Sequence, residues 1–248
     1  KFLRQNVGLK FERTHVSPLF EKVEALVSGN NVDHMMDDQT LRTPGMMGYV
    51  NLKRDTIDGR LAATLRIADP TKLTLGVDTQ TNGHSSRNAG TNGVYSVFTD
   101  DASFKQQGIF GEVDHLLDDK QRIIAGYRAD SWKAQDKRGA MIMNYNIMGM
   151  SMNPSSGQQR SETLHSGFAR YERQLDAPTT VYAGLGHTSR FPDYWELISK
   201  QSLSTASSFN TRPEKTNQID AGVLYKTDGT DFTVSAFYNK IGDFILVD

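Results

Sequence analysis

A histidine and a methionine two residues apart form the first pattern in this sequence that could do chemistry. They are His34 and Met36, within NNVDHMMDDQ at residues 30–39. A thioether is a soft ligand that selects Cu(I), whereas imidazole binds Cu(I) and Cu(II) alike, so the two side chains together suit copper. Residues i and i+2 of an extended backbone point to the same face. The spacing therefore predicts that His34 and Met36 face one space, while Met35 faces the opposite way.

Methionines also concentrate in a second stretch, MIMNYNIMGMSM. Its five methionines are Met141, Met143, Met148, Met150 and Met152. In an extended backbone their spacing aligns thioethers on one face, which would form a weak, exchangeable trap for Cu(I) or Ag(I). Alternatively, a long loop packs its own hydrophobic side chains, and methionine is a flexible filler suited to that purpose. Both interpretations stay open at this point.

The elements that position these residues are predicted from alternating apolar and polar side chains. In RLAATLRIA, for example, Leu61, Ala63 and Leu65 share one face, while Ala62 and Thr64 lie on the other. The same alternation occurs at residues 7–11, 73–77, 109–113, 123–127, 181–185, 219–225 and 232–238. A period of two over so many residues predicts half-buried β-strands rather than helices.

Two kinds of connection alternate between these strands. Short turns rich in Pro, Asp and Gly are found at residues 16–20, 69–72, 118–121, 176–179 and 227–230. Such residues favour tight reversals of the chain. Long polar stretches separate the turns, and all nine methionines, including Met46 and Met47, fall in these outer segments. The sequence therefore predicts about ten long antiparallel strands, with short turns at one edge and long loops at the other.

Composition narrows the class of protein. The 248 residues carry a net charge of −1, contain no cysteine and have a mean hydropathy of −0.52. The balanced charge and the absence of a Lys/Arg run predict no nucleic-acid binding, and the lack of cysteine excludes disulfides and thiolate metal sites. A transmembrane strand needs only about 9–11 residues with one apolar face. The pattern of strands and loops favours an all-β antiparallel transmembrane barrel over a soluble β-sheet protein.

No pattern in the sequence indicates an enzyme. Ser, His and Asp are present, but none lies in a nucleophile elbow and no helix follows such a position. Glycine-rich stretches have no strand-to-helix context, so no phosphate-binding loop is predicted. His84 lies in the polar stretch QTNGHSS and is expected to be a solvated loop residue.

Three segments in the last third resemble those of TonB-dependent receptors. They are HTSRFPDYWELIS at residues 187–199, RPEKTNQIDAGVLYK at 212–226 and SAFYNKIGDFI at 235–245. Asp220 stands where many members of that family carry Glu. The resemblance implies a 22-stranded outer-membrane barrel with an N-terminal plug, energised by the TonB–ExbB–ExbD complex. On this basis we expect residues 1–248 to be a partial barrel domain, embedded in outer-membrane lipid and without the plug.

Four further stretches are similar to the copper-receptor branch of that family, the OprC/NosA type: VSPLFEKVEA, VDHMMD, DGRLAATLR and RFPDYWEL. This resemblance implies that copper is the transported ligand and that His34 and Met36 are a metal-ligand pair at the extracellular mouth. It also implies that a Cys and a Met from a segment not contained here complete the site. The alternatives are a receptor for a siderophore or another small ligand, and a non-transport barrel or adhesin.

Overall fold

The computed structural model describes residues 2–37, 49–89, 94–144, 147–199 and 207–246. Within these ranges the chain forms twelve β-strands and one short π-helix. The strands are β1 (Phe2–Thr14), β2 (Phe20–Asp37), β3 (Tyr49–Ala68), β4 (Thr71–Ala89), β5 (Thr99–Asp118), β6 (Gln121–Asp136), β7 (Met141–Asn144), β8 (Gly149–Met152), β9 (Gln159–Gln174), β10 (Thr179–Arg190), β11 (Glu214–Lys226) and β12 (Asp231–Gly242). The π-helix covers Trp195–Ser199. Among the described residues, no helix is long and apolar enough to cross a membrane, a finding without bearing on crossing by strands.

Ten strands form one antiparallel sheet in the order β1–β2–β3–β4–β5–β6–β9–β10–β11–β12. The five predicted turns join β1 to β2, β3 to β4, β5 to β6, β9 to β10 and β11 to β12. Each strand of the sheet has 12 to 20 residues, longer than the 5–6 residues usual in globular sheets. The predicted all-β fold with about ten long antiparallel strands is therefore confirmed.

One face of the sheet is apolar from strand to strand. Residues directly opposite each other share a face, and Leu61, Val77, Ile109 and Ala129 are opposed in turn across β3, β4, β5 and β6. Leu61, Val77 and Ile109 are each at least half exposed, because nothing in the described chain covers them. We call this side the apolar face and its continuous apolar surface the apolar band.

The other side, which we call the polar face, carries charged side chains that neutralise one another. Arg128 donates to both carboxylate oxygens of Asp78, at 2.6 and 2.7 Å, and to Asp130 at 2.6 Å. The guanidinium of Arg60 lies 4.4 Å from the ring centre of Phe110. These contacts pair the charges of the polar face. The same charges would be costly to bury on the apolar band.

The hydrophobic core lies at the long-loop edge of the polar face. The segment after β10 folds back over the strands there, and Phe191 stacks on Trp132 with 4.6 Å between ring centres. Leu197 and Ile198 are fully buried in the same cluster. This packing covers the long-loop ends of β5 and β6.

Candidate functional site

His34 and Met36 lie on the polar face near the end of β2. His34 opposes Leu52 and Met36 opposes Val50 on the neighbouring strand β3. The only register shift between these two strands lies at the start of β2, so no bulge interrupts the alternation before His34. The two side chains therefore share a face, as the sequence pattern predicts.

The two adjacent methionines, Met35 and Met36, have different surroundings. Met35 lies on the opposite face, where the hydroxyl of Tyr95 donates to its sulfur at 3.1 Å. Met36 is 37% exposed, and the half-buried ring of His34 meets Phe2 edge to face at 5.6 Å. The side of β2 that carries His34 and Met36 thus presents one accessible imidazole and one accessible thioether.

Met36 also lines a cavity of about 840 Å³ at the long-loop edge. Three methionines of the second methionine-rich stretch line the same cavity: Met141, Met143 and Met150. Asp100, Asp101, Lys137, Arg138 and Tyr194 supply polar groups to its wall. The two methionine-bearing stretches, more than a hundred residues apart in sequence, therefore meet at one space.

The second methionine-rich stretch is a β-hairpin formed by β7 and β8. Met141 opposes Met152 and Met143 opposes Met150, so these four thioethers share one face of the hairpin. Met148 was predicted to align with Met150 and Met152, and this prediction is wrong. It lies in the turn with φ of 49°, because the chain must reverse there before β8 begins. Met46 and Met47 lie outside the described residues.

A buried carboxylate fixes the methionine hairpin to the end of β6. Asp136 is fully buried and accepts hydrogen bonds from the guanidinium of Arg138 at 2.8 and 3.0 Å. It also accepts from the hydroxyl of Ser155 at 2.7 Å and from the side-chain amide of Asn153 at 3.2 Å. The backbone N–H of Asn153 donates to the carbonyl of Ala140 and closes the base of the hairpin. Asp136 therefore joins both ends of the hairpin to the sheet.

An aromatic stack holds Tyr194, which lines the same cavity. The ring of Tyr194 lies parallel to that of His84, with 4.1 Å between ring centres, and its hydroxyl lies 3.4 Å from Asp101. Burial raises the pKa of the Tyr194 hydroxyl, so Tyr194 stays protonated. The expectation that His84 is a solvated loop residue is wrong. It lies on the polar face of β4, where the segment after β10 covers it, and burial lowers its pKa to about 4.

The donor types at this site differ from those of a carboxylate- or thiolate-based metal centre. In the part of the chain that the structure describes, no three His, Cys, Asp or Glu side chains converge as such a centre requires. Met36, Met141, Met143 and Met150 offer thioethers instead. Thioethers favour Cu(I) over harder cations, so a metal held by these groups would be a soft one.

Comparison with known proteins identifies the family and the fold. The sequence matches the family described as TonB dependent receptor-like, beta-barrel, over residues 4–248. It is 38% identical to a solved structure described as copper transporter OprC, with a TM-score of 0.89 over 98% of this chain and 40% of that chain. No curated protein sequence matches significantly. The chain thus spans about 40% of the length of OprC.

More distant solved structures share the fold alone. The FrpB iron transporter from Neisseria meningitidis is 16% identical, with a TM-score of 0.68 over 96% of this chain and 36% of that chain. The ferric yersiniabactin uptake receptor FyuA from Yersinia pestis is 12% identical, with a TM-score of 0.67 over 98% and 37% of the two chains.

Replacing Asp136 by alanine should loosen the methionine hairpin, because Arg138 would remain nearly buried without its carboxylate. Losing one partner of a buried ion pair costs about 3–5 kcal/mol. Hydrogen exchange at the amides of β7 and β8 measures the free energy of local opening. Asp100→Ala is the control, since it breaks an exposed pair with Lys137 worth about 1 kcal/mol or less. Equal exchange in the two variants would contradict the role given to Asp136.

Proposed function

The chain belongs to the TonB-dependent receptor family of β-barrels, and from this premise we propose that the protein imports copper ions across the outer membrane. Barrels of this family lie in the outer membrane, and the apolar band is the surface that meets lipid. The similarity to OprC, a copper transporter, supports the choice of cargo. Import would be energised by the TonB–ExbB–ExbD complex. We propose transport rather than catalysis as the role of the chain.

One observation carries the proposal: Met36 and three methionines of the β7–β8 hairpin line the same cavity. A soft cation that binds the hairpin would reach Met36 without leaving thioether ligands. Thioethers exchange Cu(I) readily when no thiolate competes, and this chain contains no cysteine. We therefore assign the first binding of the metal to Met141, Met143, Met150 and Met152, from which Met36 receives it.

His34 and Met36 form the inner end of this proposed path. Two ligands do not complete a copper site, so we place the remaining ligands outside residues 1–248, as the family resemblance implies. In that arrangement residues 1–248 are one part of a barrel domain, and a plug would present the missing ligands to His34 and Met36. The imidazole accepts either oxidation state of copper, while the thioether favours Cu(I).

A receptor for a larger chelate is the second candidate function. The polar face holds Arg60 above Phe110, and cationic and aromatic groups of this kind suit a large anionic chelate. Arg128, however, is already bound by Asp78 and Asp130. The copper proposal accounts for the methionines, whereas a chelate receptor leaves them without a role.

The tight site is tested by titrating the full-length protein with Cu(I), Cu(II), Fe(III) and a siderophore. Removing an outer-shell partner of a metal weakens its binding by about 10- to 100-fold. His34→Ala and Met36→Ala each remove a direct ligand, so each should weaken copper binding by at least that much. Met35→Ala is the matched control, since it removes a thioether from the opposite face. Copper affinities of His34→Ala and Met36→Ala equal to that of the parent would refute the site, and absence of copper binding in the parent would refute the function.

The hairpin is tested separately by replacing Met141, Met143, Met150 and Met152 together with leucine, which nearly conserves volume. Copper uptake at low external copper should slow because the capture ligands are gone, while equilibrium affinity at His34 and Met36 should stay unchanged. Met148→Leu serves as control, because Met148 lies in the turn. Uptake by the fourfold variant at the parent rate would show that these methionines only pack the loop.

A further inference from the structure

Two lysines face each other on the apolar face of the sheet, just beyond the apolar band. Lys105 of β5 and Lys133 of β6 are directly opposite in the register, and both side chains are exposed. Lys105 lies four residues from Ile109 of the apolar band, and Lys133 lies four residues from Ala129. Like charges directly opposite each other in a sheet repel and destabilise it. An anion bound between the two ammonium groups would relieve this repulsion.

The surroundings of this lysine pair contain no compensating carboxylate. Within the described part of the chain, neither ammonium group has a hydrogen-bond or ion-pair partner. The neighbours in register are hydroxyl-bearing: Thr81 beside Lys105 and Ser161 beside Lys133. The carboxylate on this face in β3, Asp55, already accepts a hydrogen bond from Asn31. The site thus combines two unpaired cations with hydroxyl donors, a set that suits a phosphate group.

The height of the pair matches the polar edge of a membrane. Lys133 is twelve residues from the start of β6, and a strand needs about 9–11 residues to span the hydrocarbon core. Lysine side chains just beyond the hydrocarbon core can bend back to headgroup phosphates.

An apolar groove begins directly below the lysines. It has a volume of about 830 Å³ and lies between β2 and β9 on the apolar face. Val27, Leu61, Val77 and Ile109 line it, while Thr79, Gln107, Ser131 and Thr163 line the end nearer the lysines. Gly59 adds no side chain to the lining of the groove. A groove of this composition fits acyl chains beneath a charged headgroup.

We propose that Lys105 and Lys133 together bind the phosphate of an outer-leaflet lipid whose acyl chains lie in this groove. The lipid neutralises the cross-strand repulsion and covers apolar surface in one contact. The site rests on the outer-membrane location alone. It is independent of copper, since it uses the opposite face of the sheet from His34 and Met36.

The proposal is tested by native mass spectrometry of the full-length protein in a neutral detergent, with phosphatidic acid or phosphatidylcholine added. Each basic residue near an anionic lipid strengthens binding by about fivefold, so the variant with Lys105→Gln and Lys133→Gln should lose about thirtyfold in affinity for phosphatidic acid. Lys120→Gln removes the same charge at the opposite edge, in the β5–β6 turn, and should leave binding unchanged. Undiminished binding by the double variant would overturn the proposal.

Thermal unfolding separates lost binding from a damaged fold. Lys133→Glu replaces a repulsive cross-strand pair by an attractive one, so without lipid it should raise the unfolding temperature. Phosphatidic acid should raise that temperature for the parent but no longer for Lys133→Glu. A lower unfolding temperature for Lys133→Glu without lipid would show that the lysines do not repel and would overturn the proposal. Equal stabilisation of the parent by inorganic phosphate would overturn the assignment to a lipid.

Discussion

The continuous antiparallel register of the ten-stranded sheet is the constraint on which the rest of this structure depends. Backbone N–H and C=O groups that face lipid must be paired within the protein, so each strand must follow its neighbour across the whole membrane. The register then decides which solvent each side chain meets, because a slip by one residue exchanges the two faces. A slip in β2 would bring Met35 onto the polar face and turn His34 and Met36 toward the apolar one. The same register places Lys105 opposite Lys133.

The edge that carries the long loops is stabilised by different interactions. Above the membrane the loops can bury apolar and polar groups against each other. There, contacts of Asp136 and Tyr194 hold the loop segments to the strands. Asp136 holds the base of the methionine hairpin, and Tyr194, which lines the cavity, is held by stacking on His84. The space between Met36 and the hairpin is thus bounded by buried groups, although the methionines themselves remain accessible.

Sequence reasoning succeeds here where the signal is periodic. Alternation of apolar and polar residues predicts the strands, the turn residues predict their pairing, and together they orient Met35 away from Met36. The same reasoning fails where contacts join distant segments without a period. Burial of His84 depends on Tyr194, more than a hundred residues later, and Met36 and Met143 line one cavity across a similar separation. The turn at Met148 escapes prediction because its left-handed backbone has no glycine to mark it.

The most direct test of the central claim, that the polar face of β2 receives the metal, is anomalous diffraction at the copper edge from crystals of the copper-loaded full-length protein. The account predicts an anomalous peak within bonding distance of both a ring nitrogen of His34 and the sulfur of Met36. A loaded protein with copper bound elsewhere and no peak between these two side chains would contradict it.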